Sequence, residues 1–248
     1  MSHIEIYDFP IPSVLVQMKN LLIQKGGHET EGIFRVAPSS SKVAAVQVQL
    51  DSGSAVSCED VHCISHLIKS WFRDCPDKIL TDLDPKMFGP ASKDAAERRK
   101  LVDMIPEPKR SIFLWILDLC VTCSHFSSLS RMDSRNLAIV FAPNLFPFEA
   151  LGADPTKTML IAEDVIEFVN QSVQDRAIDV PYVNPDLTLI DEVDLKSTLH
   201  KSDTFDLPID YSISRSHSEE SVTLSESKIT EPPRQDSRSK EDSHSTVP

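Results

Sequence analysis

Three groups of residues in this 248-residue sequence have types and spacings that chemistry uses. Cys120 and Cys123 form a CxxC pair, a spacing found in redox and metal sites. The pair lies among Leu117, Leu119 and Val121, in the middle of an apolar helical run. A redox CxxC instead sits at a helix N-terminus, where the thiolate is stabilised. Haem attachment needs a histidine directly after the second cysteine, and Ser124 stands there. His62 and His66 are four residues apart with Cys63 between them, but no second ligand pair follows at zinc-site spacing. Both sets are expected to be structural, and no metal or cofactor is expected. The third group is the segment GGHETEGIFRVAPSSS, in which a polar, glycine-containing loop presents the apolar pair Ile33 and Phe34 and then Arg35. A guanidinium carries five fixed donors and keeps its proton, which suits planar or spread phosphate charge. Two readings stay open on the residues alone: a surface arginine in a salt bridge, or a cation held at the edge of an anchored loop.

Other chemistry lacks its motif. The six glycines are scattered, and neither GxGxxG nor GxxxxGK[ST] nor GxSxG occurs. The balance of 38 acidic against 25 basic residues gives a formal net charge of -13, which repels nucleic acid and anionic lipid overall. The five cysteines form no disulfide framework, residues 1–12 do not read as a signal peptide, and no apolar run reaches the roughly 18 residues of a membrane span. A reducing cytoplasm fits this usage.

The elements that must position Arg35 are helices. Apolar periodicity predicts them over about residues 12–25, from 39–41 to before Gly53, over 60–73, 91–104 and 108–125, from 133 to Phe141 before Pro143, and over 156–173. Runs with β character, such as Ile33 to Val36, are too short and isolated to form a sheet. The expected fold is all-α: one helical domain over residues 1–178. Residues 179–248 are expected to be a disordered, acidic, Ser-rich tail, because they offer too little apolar surface to offset chain entropy. Within it, Ser216 and Ser218, near Arg215 and Glu219, have a context suited to phosphorylation, against the favoured reading of an ordinary solvated linker.

Three segments, in order and in register, resemble the GTPase-activating domain of the RhoGAP family. EGIFRVAPSS, residues 31–40, is similar to the family's EGIFRxxG loop. DVHCISHLIKSWFRDCPDKIL, residues 60–80, is similar to its LLKxFLRELPxPL helix. RMDSRNLAIVFAPNLF, residues 131–146, is similar to its NKMTxxNLAIVFAPNL. The wording of the second and third segments especially resembles plant-type activators of Rho-of-plants (Rop) GTPases. Pro38 stands where the family has glycine, and Cys75-Pro76-Asp77-Lys78 replaces its LPEP.

The resemblance implies an all-α fold and a chain that completes another protein's active site without being a hydrolase itself. It implies that Arg35 is the catalytic finger and that Lys69 and Arg73 position its loop and contact the GTPase. Asn144 is implied as a GTPase contact whose direction is fixed by Pro143 ending the helix, and Asn136 as a supporting polar residue. The implied partner is a GTP-bound Rho, Rac or Rop-type small GTPase, met in the cytoplasm or where that GTPase recruits the protein to membranes. The alternative is a catalytically silent module that binds a GTPase or serves as a scaffold.

Overall fold

The computed structural model describes residues 7–52 and 59–179. Nine α-helices run through them: α1 (Ser13–Gln24), α2 (Ser40–Asp51), α3 (Val61–Asp74), α4 (Phe88–Lys93), α5 (Ala95–Asp103), α6 (Lys109–His125), α7 (Ser127–Ser130), α8 (Ser134–Leu145) and α9 (Pro155–Asp179). Among the described residues there is no strand, as the short β-like runs led one to expect. The tail expected over 179–248, with Ser216 and Ser218, lies outside the described residues from position 180 onward.

Helix α3 is amphipathic by design of its sequence: Ile64, Ile68 and Phe72 fall on one face and are fully buried. Asp60 starts it by accepting the His62 N–H through its carboxylate at 3.1 Å. Its last carbonyls, of Phe72 and Arg73, accept from the Lys78 ammonium, a cation placed where the helix end is negative. Phe72 then meets Trp115 of α6 in a stacked arrangement at 6.5 Å and Phe141 of α8 edge-on at 6.2 Å. A second aromatic group joins the far end of the bundle. There Phe168 of α9 stacks on Phe113 of α6 at 5.9 Å and meets Phe88 of α4 edge-on at 5.3 Å.

Polar braces fix the periphery. The Tyr7 hydroxyl donates to Asp118 of α6 at 2.6 Å, and Arg176 of α9 donates twice to the same carboxylate at 2.7 and 3.1 Å. Arg98 of α5, almost wholly buried, pairs with Asp175 of α9 at 2.8 Å and donates to the Ala91 carbonyl at 2.9 Å. A buried charge is tolerable only with such partners.

Four boundaries differ from the periodicity reading. The single helix expected over 91–104 is two, broken at Asp94, whose extended backbone caps α5 by accepting the Glu97 N–H. The short helix α7 is too brief to show a period. The last helix continues to Asp179, through the Arg176 anchor. Helix α8 runs through Pro143 to Leu145 instead of ending before it. Pro143 sits in the last turn, so its missing N–H deprives only the Ile139 carbonyl, on a residue exposed to water.

The packing predicts that Phe168→Ala lowers unfolding free energy by about 3–5 kcal/mol, measured by urea denaturation. A loss below about 1 kcal/mol would contradict the burial of this ring.

Candidate functional site

The loop between α1 and α2 is built by local backbone rules. Gly26, in the left-handed region at φ 70°, ends α1, its N–H donating to the Ile23 carbonyl at 2.9 Å. Gly32 turns the chain again at φ 69°, where a Cβ would come 2.7 Å from the Val36 side chain. Its N–H donates to the Ser130 carbonyl at 2.7 Å, and its own carbonyl accepts the N–H groups of Arg35 and Val36, both at 2.9 Å.

Phe34 carries the unusual backbone. It is left-handed at φ 66°, which costs a residue with a Cβ about 1–3 kcal/mol unless its surroundings enforce it. Two contacts do so. The ring is buried edge-on against Phe141 of α8 at 5.0 Å, and the carbonyl accepts from the Lys69 ammonium of α3 at 3.1 Å. The turn sends Phe34 inward and leaves Arg35 exposed. Among the described residues the Arg35 guanidinium makes no ion pair or hydrogen bond; it lies back over Gly32. Of the two readings of Arg35, the intradomain salt bridge is not formed among the described residues. Position 38 is not among the left-handed residues, so the loop backbone places no demand for glycine there and accepts Pro38.

Lys69 is half-buried. Burial first, then the Arg73 guanidinium one turn along, lowers its pKa from the ordinary lysine value. His66 is lowered by burial and by the same two cations. His66, Lys69 and Arg73, spaced three and four residues apart, thus share one face of α3 beside the loop. Arg73 itself is exposed and forks onto the neighbouring Asp74 carboxylate at 2.8 and 3.0 Å, a partner that the sequence reading did not give it.

Asn136, Pro143 and Asn144 belong to α8. The Asn136 amide donates to the Arg131 carbonyl at 3.1 Å, bracing the turn that holds Gly32 through Ser130. The Asn144 amide donates back to the Val140 carbonyl at 2.8 Å, so its direction comes from its own helix and not from a stop at Pro143. Pro143 is exposed on the rim of an apolar recess of about 550 Å³ with Phe148, Met159 and Ile166. The loop thus contacts α3 directly through Lys69, α8 directly through Phe141, and the α7–α8 turn through Ser130. Phe141 and Ser130 were not singled out by sequence: one looks like any core aromatic, and the other acts through its carbonyl.

Cys63, Cys75, Cys120 and Cys123 are buried, and burial pushes the Cys123 thiol up to about 12 and Cys120 well above the ordinary thiol range. Such thiols are poor nucleophiles and poor metal ligands at neutral pH. Cys58 lies outside the described residues. Among the described residues, no three acidic, histidine or cysteine side chains gather as a metal site. Among the same residues, no helix is long and apolar enough to cross a membrane.

An all-helical scaffold that holds an exposed arginine on a clamped loop is the class that fold and site define together. Comparison with known proteins gives the family. Residues 12–150 match the RhoGAP domain, and the chain belongs to that family. It is 33% identical over 164 residues to Rho GTPase-activating protein 1 of Arabidopsis thaliana, covering 66% of this chain and 34% of that protein. It is 31% identical over 171 residues to Rho GTPase-activating protein gacA of Dictyostelium discoideum, covering 68% of this chain and 49% of that protein. The chain therefore spans between a third and a half of the length of these relatives. Human Rho GTPase activating protein 15 shares the fold with a TM-score of 0.57 at 19% identity, covering 66% of this chain and 83% of that one. The BH domain from GRAF, the GTPase regulator associated with focal adhesion kinase, does so at 0.55 and 18%, covering 68% and 96%.

Lys69→Met should release the Phe34 carbonyl and loosen the loop without unfolding the bundle. Hydrogen exchange at the Arg35 and Val36 amides should speed up about tenfold or more, since a hydrogen bond from a charged group contributes about 1.5–3 kcal/mol. Unchanged exchange there would remove Lys69 as the clamp.

Proposed function

We propose that this chain stimulates GTP hydrolysis by a Rho-family small GTPase, with Arg35 supplied in trans as the finger. The observation that carries this reading is a guanidinium without a partner among the described residues, on a loop whose backbone is bound on both sides. A GTPase hydrolyses GTP slowly because charge developing on the transferring phosphoryl group is incompletely balanced. A guanidinium set against that charge in a water-poor site lowers the barrier without reorganising at the moment of reaction. Across finger-using GTPases the effect is about 10³ to 10⁵ in rate, which converts to roughly 4–7 kcal/mol.

The other residues take supporting parts. Lys69 holds the finger loop by the carbonyl just before Arg35, so the arginine's approach is set before the partner arrives. Arg73, Pro143 and Asn144 form the surface offered to the GTP-bound GTPase, and Asn136 acts behind it by bracing the Arg131 turn. The chain contributes no hydrolytic group of its own; the water-positioning residue belongs to the GTPase. Residues 1–178 make up the activating domain and residues 179–248 an acidic tail. The working place is the cytoplasm, including membranes to which the GTPase brings it.

With the full 248-residue chain and a panel of GTP-loaded Rho-family GTPases, single-turnover hydrolysis should accelerate for at least one member. Arg35→Ala should cut that acceleration about 10³-fold or more while leaving the melting temperature unchanged and GTPase binding within about twofold of the parent. A parent that binds but does not accelerate is a silent module. An alanine variant as active as the parent would show that the finger lies elsewhere.

A further inference from the structure

We infer that Arg131 is a second cationic contact of the same surface, presented to a carboxylate on the GTP-bound GTPase; this rests on the activator reading above. Arg131 follows α7 with φ 59° and ψ 22°, in the left-handed region. Glycine is the residue such a helix-ending position favours, because a Cβ there crowds the carbonyl. An arginine persists only where the surroundings enforce the backbone, and such residues cluster at binding sites.

The enforcement is on the page. The Arg131 N–H donates to the Ser127 carbonyl at 3.0 Å, and its carbonyl accepts from Asn136 at 3.1 Å. On one side the Ser130 carbonyl takes the Gly32 N–H, and on the other the Met132 side chain is fully buried. The backbone is therefore locked to the finger loop, while the side chain has no task. It is exposed, and among the described residues its guanidinium makes no hydrogen bond or ion pair. It borders an open recess of about 370 Å³ with Ser127, Ser128 and Asp133, whose carboxylate is occupied in capping α8 at the Asn136 N–H.

Charge and position name the partner chemistry. In a chain of net charge -13, Arg35, Lys69 and Arg131 lie around one loop, joined through the Lys69 to Phe34 and Gly32 to Ser130 hydrogen bonds. If Arg35 enters the nucleotide site, Arg131, beyond the Gly32 to Ser130 bond, meets the protein surface beside that site. A planar guanidinium there suits a carboxylate, which it can bind through two parallel hydrogen bonds. A rim charge of this kind acts on association rate and salt dependence more than on turnover.

The test is Arg131→Gly in the full chain, because glycine relieves the left-handed backbone and removes only the side chain's function. Affinity for a GTPase loaded with a hydrolysis-resistant GTP analogue is measured by titration calorimetry at low and high salt, with melting temperature recorded alongside. The expected result is an unchanged or raised melting temperature, with affinity about three- to tenfold weaker at low salt and a flatter salt dependence. Arg131→Lys should recover part of the loss. Unchanged affinity, or weakening that only follows a lowered melting temperature, overturns the inference and leaves the activator reading standing. A parent that binds without accelerating hydrolysis sinks the activator reading, while the affinity comparison still decides Arg131. A parent that binds no GTPase overturns both.

Discussion

The hydrogen bond from the Lys69 ammonium to the Phe34 carbonyl is the contact on which the site depends. It spans two elements 35 residues apart and fixes the one peptide that decides where Arg35 points. Phe34 can remain left-handed because its ring is held by Phe141 and its carbonyl by a cation, so strain in the backbone is offset on both sides. The core serves the same end. Phe72 joins α3 to α8 through Phe141, so the helix that carries the clamp is packed directly on the helix that seats the ring.

Preorganisation explains why a small cationic loop needs a helical bundle beneath it. A long side chain on a loose loop would lose much of its attraction for phosphate charge in ordering entropy. Here the loop is ordered beforehand, by hydrogen bonds from Gly32, Arg35 and Val36 and by the buried Ile33 and Phe34. Only the guanidinium is left to be arranged.

Much of the fold was legible because burial follows helical period. The stripe of Val61, Ile64, Leu67, Ile68 and Trp71 announced α3, although the fully buried ring of that helix is Phe72, which the stripe left out, and Ile112, Trp115, Ile116 and Leu119 announced α6. What escaped was set by local signals weaker than periodicity. Asp94 and Glu97 form a cap three residues apart that divides α4 from α5 without glycine or proline at the break. Pro143 resembled a helix stop, yet in a final turn whose orphaned carbonyl faces water it costs too little to end α8. Of the side chains singled out by type, Arg35, Lys69 and Asn136 all lie on or around one loop. The parts played by backbone were not legible. The carbonyls of Phe34, Ser130 and Arg131 carry no sequence signature, and Asp74 as the partner of Arg73 was hidden among ordinary surface charges.

The central claim is that the loop is shaped for the charge of a transferring phosphoryl group and not for the resting nucleotide. It is tested most directly by comparing affinity for a GTPase carrying GDP with a metal-fluoride phosphoryl mimic against the same GTPase carrying a GTP analogue. The account predicts tighter binding of the mimic by about tenfold or more, as expected for transition-state complementarity, and loss of that preference in Arg35→Ala. Equal affinity of the parent for the two forms would contradict it.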